Sequence, residues 1–352
     1  MSSKTSDRDL LTFVVPTYQR PGFLRRLLTF YDQVGFDHRL LIADSSEPNI
    51  HRQNLMTAAA FSARLNIELQ HFDLPVTEKC SEAMKRVATP FVVFSADDDF
   101  QMPSVVGRCA EFLHANDDFE ACSGTSVFAV ADQSTAVLRS YKSLLHNDVR
   151  RRLYQASTGR YFCLFYGVLR TAGAAERLKL AGDATDSDAA RILSEAMILQ
   201  MLAIDGKAMQ LPEISYLREG HAGNFSDVAA AVQAPESFPK QYASYRRPLL
   251  QRLERAGFTE SQAATLAEQS FLDLVPGCAS LVRGRESKFA AGWRKVGRSG
   301  RRLRSTGFNR AGRKQSTSLA KLADDNHELQ VAIEMLQQPV EYWNAVAAGR
   351  AA

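Results

Sequence analysis

Short apolar runs alternate with helix-like segments through the N-terminal part of the chain. The first and fourth runs are rich in β-branched or aromatic residues, a pattern typical of buried strands, whereas the third strand shows alternating apolar and polar residues. The intervening segments carry apolar residues at helical spacing, and two of them begin with proline, which favours the first turn of a helix. The predicted strands are 11–16, 39–43, 65–71 and 90–95, and the predicted helices are 21–31, 52–64, 77–87 and 103–114.

Strands that alternate with helices at this spacing predict an α/β fold with a mostly parallel sheet covered by helices on both faces. In such sheets, ligands bind outside the carboxyl ends of the strands. Three polar features directly follow predicted strands: Thr17, Asp44 and the acidic triplet Asp97, Asp98 and Asp99. We therefore expect these side chains to meet at one edge of the sheet.

The pattern beyond the acidic triplet is more mixed and becomes helical toward the C-terminus. A break at Gly257 is expected within a helical region, and the chain is expected to finish with one further helix. The predicted strands are 120–130, 161–169 and 214–218, and the predicted helical segments are 187–204, 239–278 and 317–338.

These changes of pattern divide the chain into four parts. We expect a main domain at 1–235, a helical extension at 236–282, a basic strip or linker at 283–316, and a C-terminal helix with its tail at 317–352. The C-terminal helix carries an apolar stripe, which predicts a docking or dimerising helix or, more simply, packing on the core. The stripe consists of Leu319, Leu322, Leu329, Ile333 and Leu336.

The composition is that of a globular protein, with 45% hydrophobic and 23% charged residues. No segment reaches the ~18 consecutive apolar residues that a membrane-spanning helix needs, and the polar N-terminus shows no apolar signal-peptide run. The five cysteines are scattered without a Cys-x-x-Cys pair, which favours reduced thiols and argues against a zinc site. We therefore expect a cytoplasmic protein.

A strongly basic strip lies between Arg283 and Lys314. It holds twelve Lys or Arg residues and one acidic residue, Glu286, so its charge of +11 leaves −7 for the rest of a chain whose total is +4. Apolar residues such as Trp293 and Phe308 are spaced among the basic ones. This pattern is typical of a segment on an anionic membrane surface, which predicts a peripheral position on the inner face of the membrane. A solvated linker and, with less support, nucleic-acid binding are the alternatives.

The acidic triplet suits a divalent metal ion. Three adjacent carboxylates repel one another unless cations or solvent compensate them. On an extended backbone, Asp97 and Asp99 would point the same way and hold Mn²⁺ or Mg²⁺ through oxygen atoms. The ion would neutralise charge on a departing nucleoside diphosphate. A solvated acidic turn is the alternative, and phosphoryl or nucleotidyl transfer would use the same metal chemistry.

Three segments together resemble family-2-type glycosyltransferases of the GT-A fold. The opening LTFVVPTYQRPGFLRRLL is similar to the first strand and helix of that family, and ATPFVVFSADDDF is similar to the strand leading into its D-x-D motif. Asp44, in LLIADSSEP, resembles the acid that ends its second strand, and FYGVLR, residues 165–170, is similar to a bacterial subgroup. The resemblance covers residues 10–225. It implies the GT-A fold, with a Rossmann-like sheet, and a nucleotide-sugar donor.

The resemblance also implies roles in donor binding for individual residues. Pro16, Thr17 and Arg20 would line the nucleotide pocket. Asp44 would accept a hydrogen bond from the base or the ribose, and Lys79 would meet the diphosphate. The ordinary alternatives are a turn aspartate bonded to its own backbone and an exposed helix lysine.

Further residues would contact the metal ion and the diphosphate. Asp97 and Asp98 would contribute to the nucleotide-sugar site as well, and Arg218 would assist the diphosphate. His221, in the loop after a predicted strand, would complete the metal site with Asp97 and Asp99. A loop histidine without a role is the alternative.

Inverting members of the family use a carboxylate to take the proton from the acceptor hydroxyl. Glu195, in RILSEAMILQ, is the candidate for this general base, because apolar neighbours raise the pKa of a carboxylate toward neutrality. Asp186 and Asp188 are competing candidates. Tyr166 and Arg170 would shape the sugar or acceptor pocket, unless they are a core aromatic residue and a solvated charge.

The sequence therefore predicts a metal-dependent, inverting glycosyltransferase that moves a sugar from a nucleotide-sugar donor to a hydroxyl group. The acceptor would be a glycan, a lipid-linked glycan or a protein. A sugar-phosphate nucleotidyltransferase is one alternative, although the segment after the first strand lacks the Gly-rich loop typical of those enzymes. A catalytically inactive GT-A binding module is the other.

Overall fold

A computed structural model describes residues 10–129, 135–159, 164–184, 188–220, 238–274 and 315–350. Ten strands within these ranges form one sheet. Their bounds are β1 Leu11–Thr17, β2 Arg39–Asp44, β3 Asn66–His71, β4 Phe91–Phe94, β5 Phe100–Gln101, β6 Phe119–Ala129, β7 Thr135–Arg139, β8 Val168–Arg170, β9 Lys207–Glu219 and β10 Gln315–Ser318.

Helices cover both faces of this sheet. Every helix in the described ranges is too short or too polar to cross a membrane. The helices are α1 Pro21–Gln33, α2 Pro48–Phe61, α3 Val76–Met84, α4 Pro103–Ala115, α5 Val149–Thr158, α6 Thr171–Ala184, α7 Asp188–Asp205, α8 Phe238–Arg255, α9 Glu260–Leu274, α10 Leu319–Ala323, α11 His327–Gln337 and α12 Val340–Ala347.

The central strands of the sheet run parallel. The order is β10-β7-β6-β8-β4-β1-β2-β3, with β9 beside β6 and β5 beside β9. The strands β4, β1, β2 and β3 are mutually parallel, whereas β8 is antiparallel to both of its neighbours. The predicted α/β fold with a parallel centre is therefore confirmed. Beyond β4 the sheet continues in a mainly antiparallel flank, in which β9 runs parallel to β6.

Alternating side chains of the central strands pack into two separate core layers, one on each face of the sheet. Phe13 and Ile42 belong to the layer formed with α1, α4 and α11, whereas Val14 and Leu41 belong to the layer formed with α3, α6 and α7. Successive residues of a strand point to opposite faces, so a strand buried on both faces needs apolar residues throughout. This explains why β1 and β2 appear in the sequence as unbroken apolar runs.

Several predicted elements differ from the observed ones. The strand predicted over 161–169 is observed only as β8, and residues 160–163 lie outside the described ranges. The strand predicted over 214–218 is the end of the longer β9. The single helix predicted over 317–338 is wrong: β10, α10 and α11 replace it, because the Asn326 side chain accepts a hydrogen bond from the backbone of Leu329 and starts a new helix.

The C-terminal segment 315–350 packs on the sheet and on α1. The strand β10 pairs antiparallel with β7, and the Gly22 N–H donates a 3.1 Å hydrogen bond to Oδ1 of Asn344 in α12. In the apolar stripe, Leu319, Leu329 and Leu336 are buried in the core of this same chain. Core packing thus accounts for the stripe.

Candidate active site

The carboxyl ends of the parallel strands gather the polar residues that the sequence singles out. Thr17 is in register with Asp44 across β1 and β2, and Asp44 is in register with His71 across β2 and β3. The strand β4, which adjoins β1, runs directly into the acidic triplet. The predicted meeting of these side chains at one sheet edge follows from this register.

The acidic triplet forms a turn, and its backbone is not extended as expected. The N–H of Asp99 donates to the carbonyl of Ala96, 3.4 Å away, because the chain must reverse between β4 and the short β5. All three carboxylates are buried, with Asp97 at 4%, Asp98 at 8% and Asp99 at 4% exposure. Neighbouring elements therefore decide where each carboxylate points.

Asp97 faces the start of α1. The Thr17 hydroxyl donates to its Oδ2 at 2.7 Å, and Nη1 of Arg20 donates to its Oδ1 at 3.3 Å. The same Arg20 nitrogen donates to Asp98 at 2.8 Å. Burial, and then the charge of Asp98, raise the pKa of Asp97 to about 6 against the opposing effect of Arg20. Additional positive charge near Asp97 would therefore be favourable.

Asp99 faces the last part of β9. The Tyr216 hydroxyl donates a hydrogen bond to its Oδ2, and the backbone N–H of Glu219 donates to its Oδ1 at 2.9 Å. Burial, and then the charge of Asp98, raise the pKa of Asp99 to about 8, although Tyr216 and Arg218 oppose the rise. Asp97 and Asp99 are thus held by different elements, Asp97 by the segment from the end of β1 to the start of α1 and Asp99 by β9.

The buried side chain of Arg26 links the acidic turn to the end of β9. Its side chain is 2% exposed, and Nη2 donates both to the carbonyl of Asp98 at 3.1 Å and to Glu219 at 2.6 Å. The guanidinium lies over the rings of Phe23 and Phe100, 5.0 and 5.2 Å from their centroids. Sequence reasoning missed Arg26, because the motif around it shows only an ordinary helix with basic residues.

Glu195 and Arg218 approach the same region from α7 and β9. Glu195 is half-buried, and burial raises the pKa of Glu195 to about 7 against the opposing charge of Arg218. Burial opposes a rise in the Arg218 pKa, but its surroundings, which include Tyr216, Asp99 and Glu195, raise it above the ordinary value. Arg218 therefore lies within electrostatic range of both the candidate base and Asp99.

The Lys79 ammonium is not an exposed helix charge. It is 2% exposed and donates to the carbonyl of Thr17 at 2.7 Å and to the Ser45 hydroxyl at 2.8 Å. Burial lowers the pKa of Lys79. Two of its three N–H donors are committed to the ends of β1 and β2, so the lysine joins these two loops and keeps one donor for a further partner.

Asp44 is enclosed by its own neighbours. The backbone N–H of Ser46 donates to its Oδ1, and His51 and Asn54 donate to its Oδ2, all within 3.0 Å. The carboxylate is 0% exposed. Sequence reasoning anticipated the Ser46 contact as a local turn but missed His51 and Asn54, which reach back from α2.

The residues of the FYGVLR segment separate in the structure. Tyr166 stacks on Tyr216 with ring centroids 5.1 Å apart, and so lies next to the Asp99 partner. Arg170 instead donates to the carbonyls of Leu113, Asn116 and Phe119 at the opposite edge of the sheet. The expectation that Arg170 shapes the sugar or acceptor pocket is therefore wrong: its guanidinium bonds carbonyls in the last turn of α4 and in the loop up to β6.

Some predicted residues fall outside the described ranges. These are His221, Asp186 and the basic strip 283–314. Asp188 begins α7. Tyr216 was missed, although the sequence ISYLRE places it two residues before Arg218, on the same face of a strand.

The donor set of the turn fits a hard divalent cation. Within the described residues, no group of three or more His, Cys, Asp and Glu side chains is arranged to hold a metal ion. Mg²⁺ and similar ions, however, are commonly held by one or two carboxylates together with the phosphates of a substrate. Asp97 and Asp99 supply two such carboxylates, and burial, followed by the charge of Asp98, raises the pKa of both, so a cation beside them would be favourable.

Comparisons with known proteins give a fold match without a sequence match. No protein-family model and no curated protein sequence matches the chain. Staphylococcus aureus TarS 1–349 in complex with UDP-GlcNAc matches with a TM-score of 0.50 and 15% identity, over 75% of this chain and 72% of that one. A further structure of TarS 1–349 has a TM-score of 0.48 and 14% identity, over 76% and 70%.

The mannosyltransferase PcManGT from Pyrobaculum calidifontis, in complex with GDP-Man and Mn²⁺, has a TM-score of 0.41 and 14% identity, over 97% of this chain and 87% of that one. The fold assignment rests on the TarS complex with the TM-score of 0.50 and on the strand order given above. The chain has a mixed α/β fold of the GT-A type.

Proposed function

We propose that this chain is a metal-dependent glycosyltransferase that moves a sugar from a nucleotide-sugar donor to a hydroxyl acceptor with inversion. One observation carries the proposal: Asp99 and Glu195 both lie in the electrostatic surroundings of Arg218, beside the edge where Thr17 bonds Asp97. This arrangement supports the proposal, in which Asp99 would be a metal ligand, Arg218 a cation for the diphosphate and Glu195 the base. The TarS structure, which contains UDP-GlcNAc, supports a nucleotide sugar as the donor class.

The donor would lie along the carboxyl edge of the sheet. Its nucleoside would occupy the ends of β1 and β2, next to Pro16, Thr17 and Asp44. Its diphosphate would extend toward the acidic turn, where Lys79 and Arg218 supply positive charge. Arg20 holds Asp97 and Asp98 in place in this arrangement.

The metal ion would be held by Asp97 and Asp99, with His221 as a further ligand. When bound, it would supply Lewis-acid stabilisation of the charge on the departing nucleoside diphosphate. Arg218 adds fixed positive charge on the same side and remains protonated, because its pKa is raised.

Glu195 would act on the acceptor. As a carboxylate it takes the proton from the acceptor hydroxyl, whose oxygen then attacks the anomeric carbon from the side opposite the diphosphate. The bond between that carbon and the diphosphate oxygen breaks, so the configuration inverts and the proton remains on Glu195. A pKa of about 7 is well matched to this role near neutral pH.

The basic strip 283–314 suits an anionic membrane surface, which would bring the enzyme to a lipid-linked acceptor. Its charge of +11 supports this part of the proposal. Cosedimentation with vesicles of phosphatidylcholine, with and without phosphatidylserine, tests it. Binding only to the anionic vesicles is expected, and equal partition between the two compositions would contradict it.

The test of the main proposal combines ligand-dependent stability with donor turnover. Unfolding midpoints are measured with UDP-, GDP-, CDP- and ADP-sugars, each with Mn²⁺ and with EDTA. We expect one base class to raise the midpoint only with Mn²⁺, because a ligand at a hundredfold excess over its Kd stabilises by about 2.7 kcal/mol. The same donor should be slowly hydrolysed to nucleoside diphosphate and sugar.

The matched control is Asp117→Asn, since the Asp117 side chain is 99% exposed at the opposite edge of the sheet. It should behave as the wild type, whereas Asp99→Asn should lose the Mn²⁺-dependent shift. Absence of any shift and of any hydrolysis would favour a binding module. Release of pyrophosphate from a nucleoside triphosphate and a sugar 1-phosphate would identify a nucleotidyltransferase instead.

A further inference from the structure

The carboxylate of Asp44 is fully buried, and three neighbouring residues donate hydrogen bonds to it. Burial opposes its ionisation, but hydrogen bonds from Ser46, Asn54 and His51 outweigh burial and lower the pKa of Asp44 below the ordinary value. The group is therefore an acceptor for three donors and is 0% exposed. A ligand at this strand end meets the residues around Asp44 rather than the carboxylate itself.

His51 is the member of this cluster that reaches the surface. Its side chain is 23% exposed, and its Nδ1 lies 2.8 Å from Asp44 Oδ2. An ionised carboxylate only accepts hydrogen bonds, so Nδ1 carries the hydrogen. In the neutral ring, Nε2 is then a bare acceptor on the edge turned away from Asp44.

Two neighbours hold this arrangement. The His71 Nε2–H donates to the carbonyl of Ser46 at 3.1 Å, and its ring meets the His51 ring edge-on with centroids 4.7 Å apart. Asn54, one helical turn beyond His51, must direct its NH₂ group at Asp44, because a carboxylate cannot donate. Its Oδ1 is therefore a second acceptor, and this buried atom has no hydrogen-bond partner among the described residues.

We propose that His51, oriented by Asp44, recognises the nucleobase of the donor and selects a base that carries a ring N–H, as uracil and guanine do. The inference rests on the proposed function, since it deepens the donor site at the ends of β1 and β2. Cytosine and adenine offer a lone pair at the corresponding ring nitrogen, which would face the lone pair of His51 Nε2. Asp44 is a positioning residue in this scheme, because it sets the tautomer of His51.

Calorimetric titration of the full chain with UDP, GDP, CDP and ADP in the presence of Mn²⁺ tests the inference. The wild type should bind UDP or GDP, whose bases carry a ring N–H, about tenfold more tightly than CDP and ADP. The difference is expected because one hydrogen bond is gained and one repulsion between lone pairs is avoided. His51→Phe keeps a ring against His71 but no nitrogen, and should abolish this ratio. Met56→Ala, exposed on the same helix, is the matched control and should keep it.

Asp44→Asn provides a readout that a merely structural role would not produce. The new amide keeps its oxygen toward the Ser46 N–H and turns its NH₂ group toward Asn54 and His51, which both donate to Asp44 in the wild type. The Asn54 amide then turns over so that its Oδ1 accepts, His51 Nδ1 becomes an acceptor, and His51 Nε2 carries the hydrogen. The preference should then move toward CDP or ADP. Unchanged ratios in both variants, with wild-type binding intact, overturn the role of His51 alone. No binding of any nucleotide by the wild type overturns the proposed function together with this inference.

Discussion

Thr17 and Asp97, eighty positions apart in the chain, are joined by a 2.7 Å hydrogen bond at the carboxyl edge of the sheet. The contact arises because β1 and β4 are adjacent parallel strands, and their register, with Val14 opposite Phe94, places the residues that follow β4 beside Thr17. Lys79 donates to the carbonyl of that same Thr17. The loop expected to hold the nucleotide and the turn expected to hold the metal ion are therefore one connected unit.

Asp99 should be indispensable for metal-dependent turnover. Asp99→Asn keeps the size of the side chain and an acceptor for Tyr216 but removes the charge that would hold the cation. We expect at least about a hundredfold loss in kcat/KM with the folded state retained, as for loss of a group that stabilises developing charge. Initial rates over a Mn²⁺ titration provide the measurement. Tyr216→Phe, which keeps the carboxylate, should retain metal dependence, and wild-type turnover by Asp99→Asn would contradict the metal assignment.

Glu195 should set the pH dependence of the reaction. Its pKa is raised to about 7 mainly by burial, so below that pH the carboxyl is protonated and cannot accept the acceptor's proton. At saturating Mn²⁺, which would keep Asp97 and Asp99 ionised, the rate should rise about tenfold per pH unit below the Glu195 pKa and level off above it. The profile of kcat/KM between pH 5 and 9, about two units on either side of the Glu195 pKa, shows this directly.

Glu195→Gln should lower turnover by about a hundredfold to ten-thousandfold and remove the rising limb, while nucleotide affinity is maintained. Glu254→Gln, an exposed glutamate on α8, is the matched control and should leave the profile unchanged. If Glu195→Gln kept both the rate and the rising limb, the base would have to be sought elsewhere, first at Asp186 or Asp188.

The parts of this fold that depend on local patterns were predictable. The first four strands carry unbroken apolar runs or, in β3, alternating apolar and polar residues, and their helices carry apolar residues at helical spacing. Each element lies within a few residues of its predicted position. Thr17, Asp44 and the acidic triplet could be brought together because strand ends in a parallel sheet share an edge. The two side chains that donate to Asp44, His51 and Asn54, could not be predicted, since nothing in a helix sequence says which carboxylate its polar residues will reach.

Contacts between distant segments account for the remaining errors. Arg26 donates to Glu219, 193 positions away, and Arg170 donates to carbonyls at the end of α4. Neither contact leaves a periodic signal in the sequence. The strand β10 forms because the edge of β7 is available to pair with it, and its residues QSTS carry no apolar pattern. Tertiary context decides such elements, so local propensity cannot reveal them.

Arg26 should be the main structural support of the acidic turn. Arg26→Met keeps the apolar contacts with Phe23 and Phe100 but removes the cation that binds the Asp98 carbonyl and Glu219. We expect a loss of about 3 kcal/mol in the free energy of unfolding, since one partner of a buried ion pair is deleted. Urea denaturation followed by circular dichroism measures it. Arg25→Met, at the neighbouring position of α1, should cost much less, and equal losses would show that Arg26 has no special role.

Gly22 should report on how closely α12 packs against α1. A Cβ at this position would overlap Oδ1 of Asn344 and lie 2.8 Å from its backbone nitrogen, so Gly22→Ala must push the two helices apart. We expect a loss of about 1–3 kcal/mol in the free energy of unfolding, the usual cost of overpacking, despite the better helix propensity of alanine.

Gly107 in α4 is the control for that substitution. A Cβ there meets nothing nearer than Nε2 of His38 at 3.9 Å, so Gly107→Ala should stabilise the protein by about 0.5–1 kcal/mol through helix propensity alone. Thermal unfolding of the two variants side by side separates packing from propensity, because both place alanine inside a helix. Opposite signs for the two substitutions are expected. Stabilisation by Gly22→Ala as well would mean that the segment around Asn344 does not rest on α1, and the close contact between the C-terminal segment and the first helix would have to be abandoned.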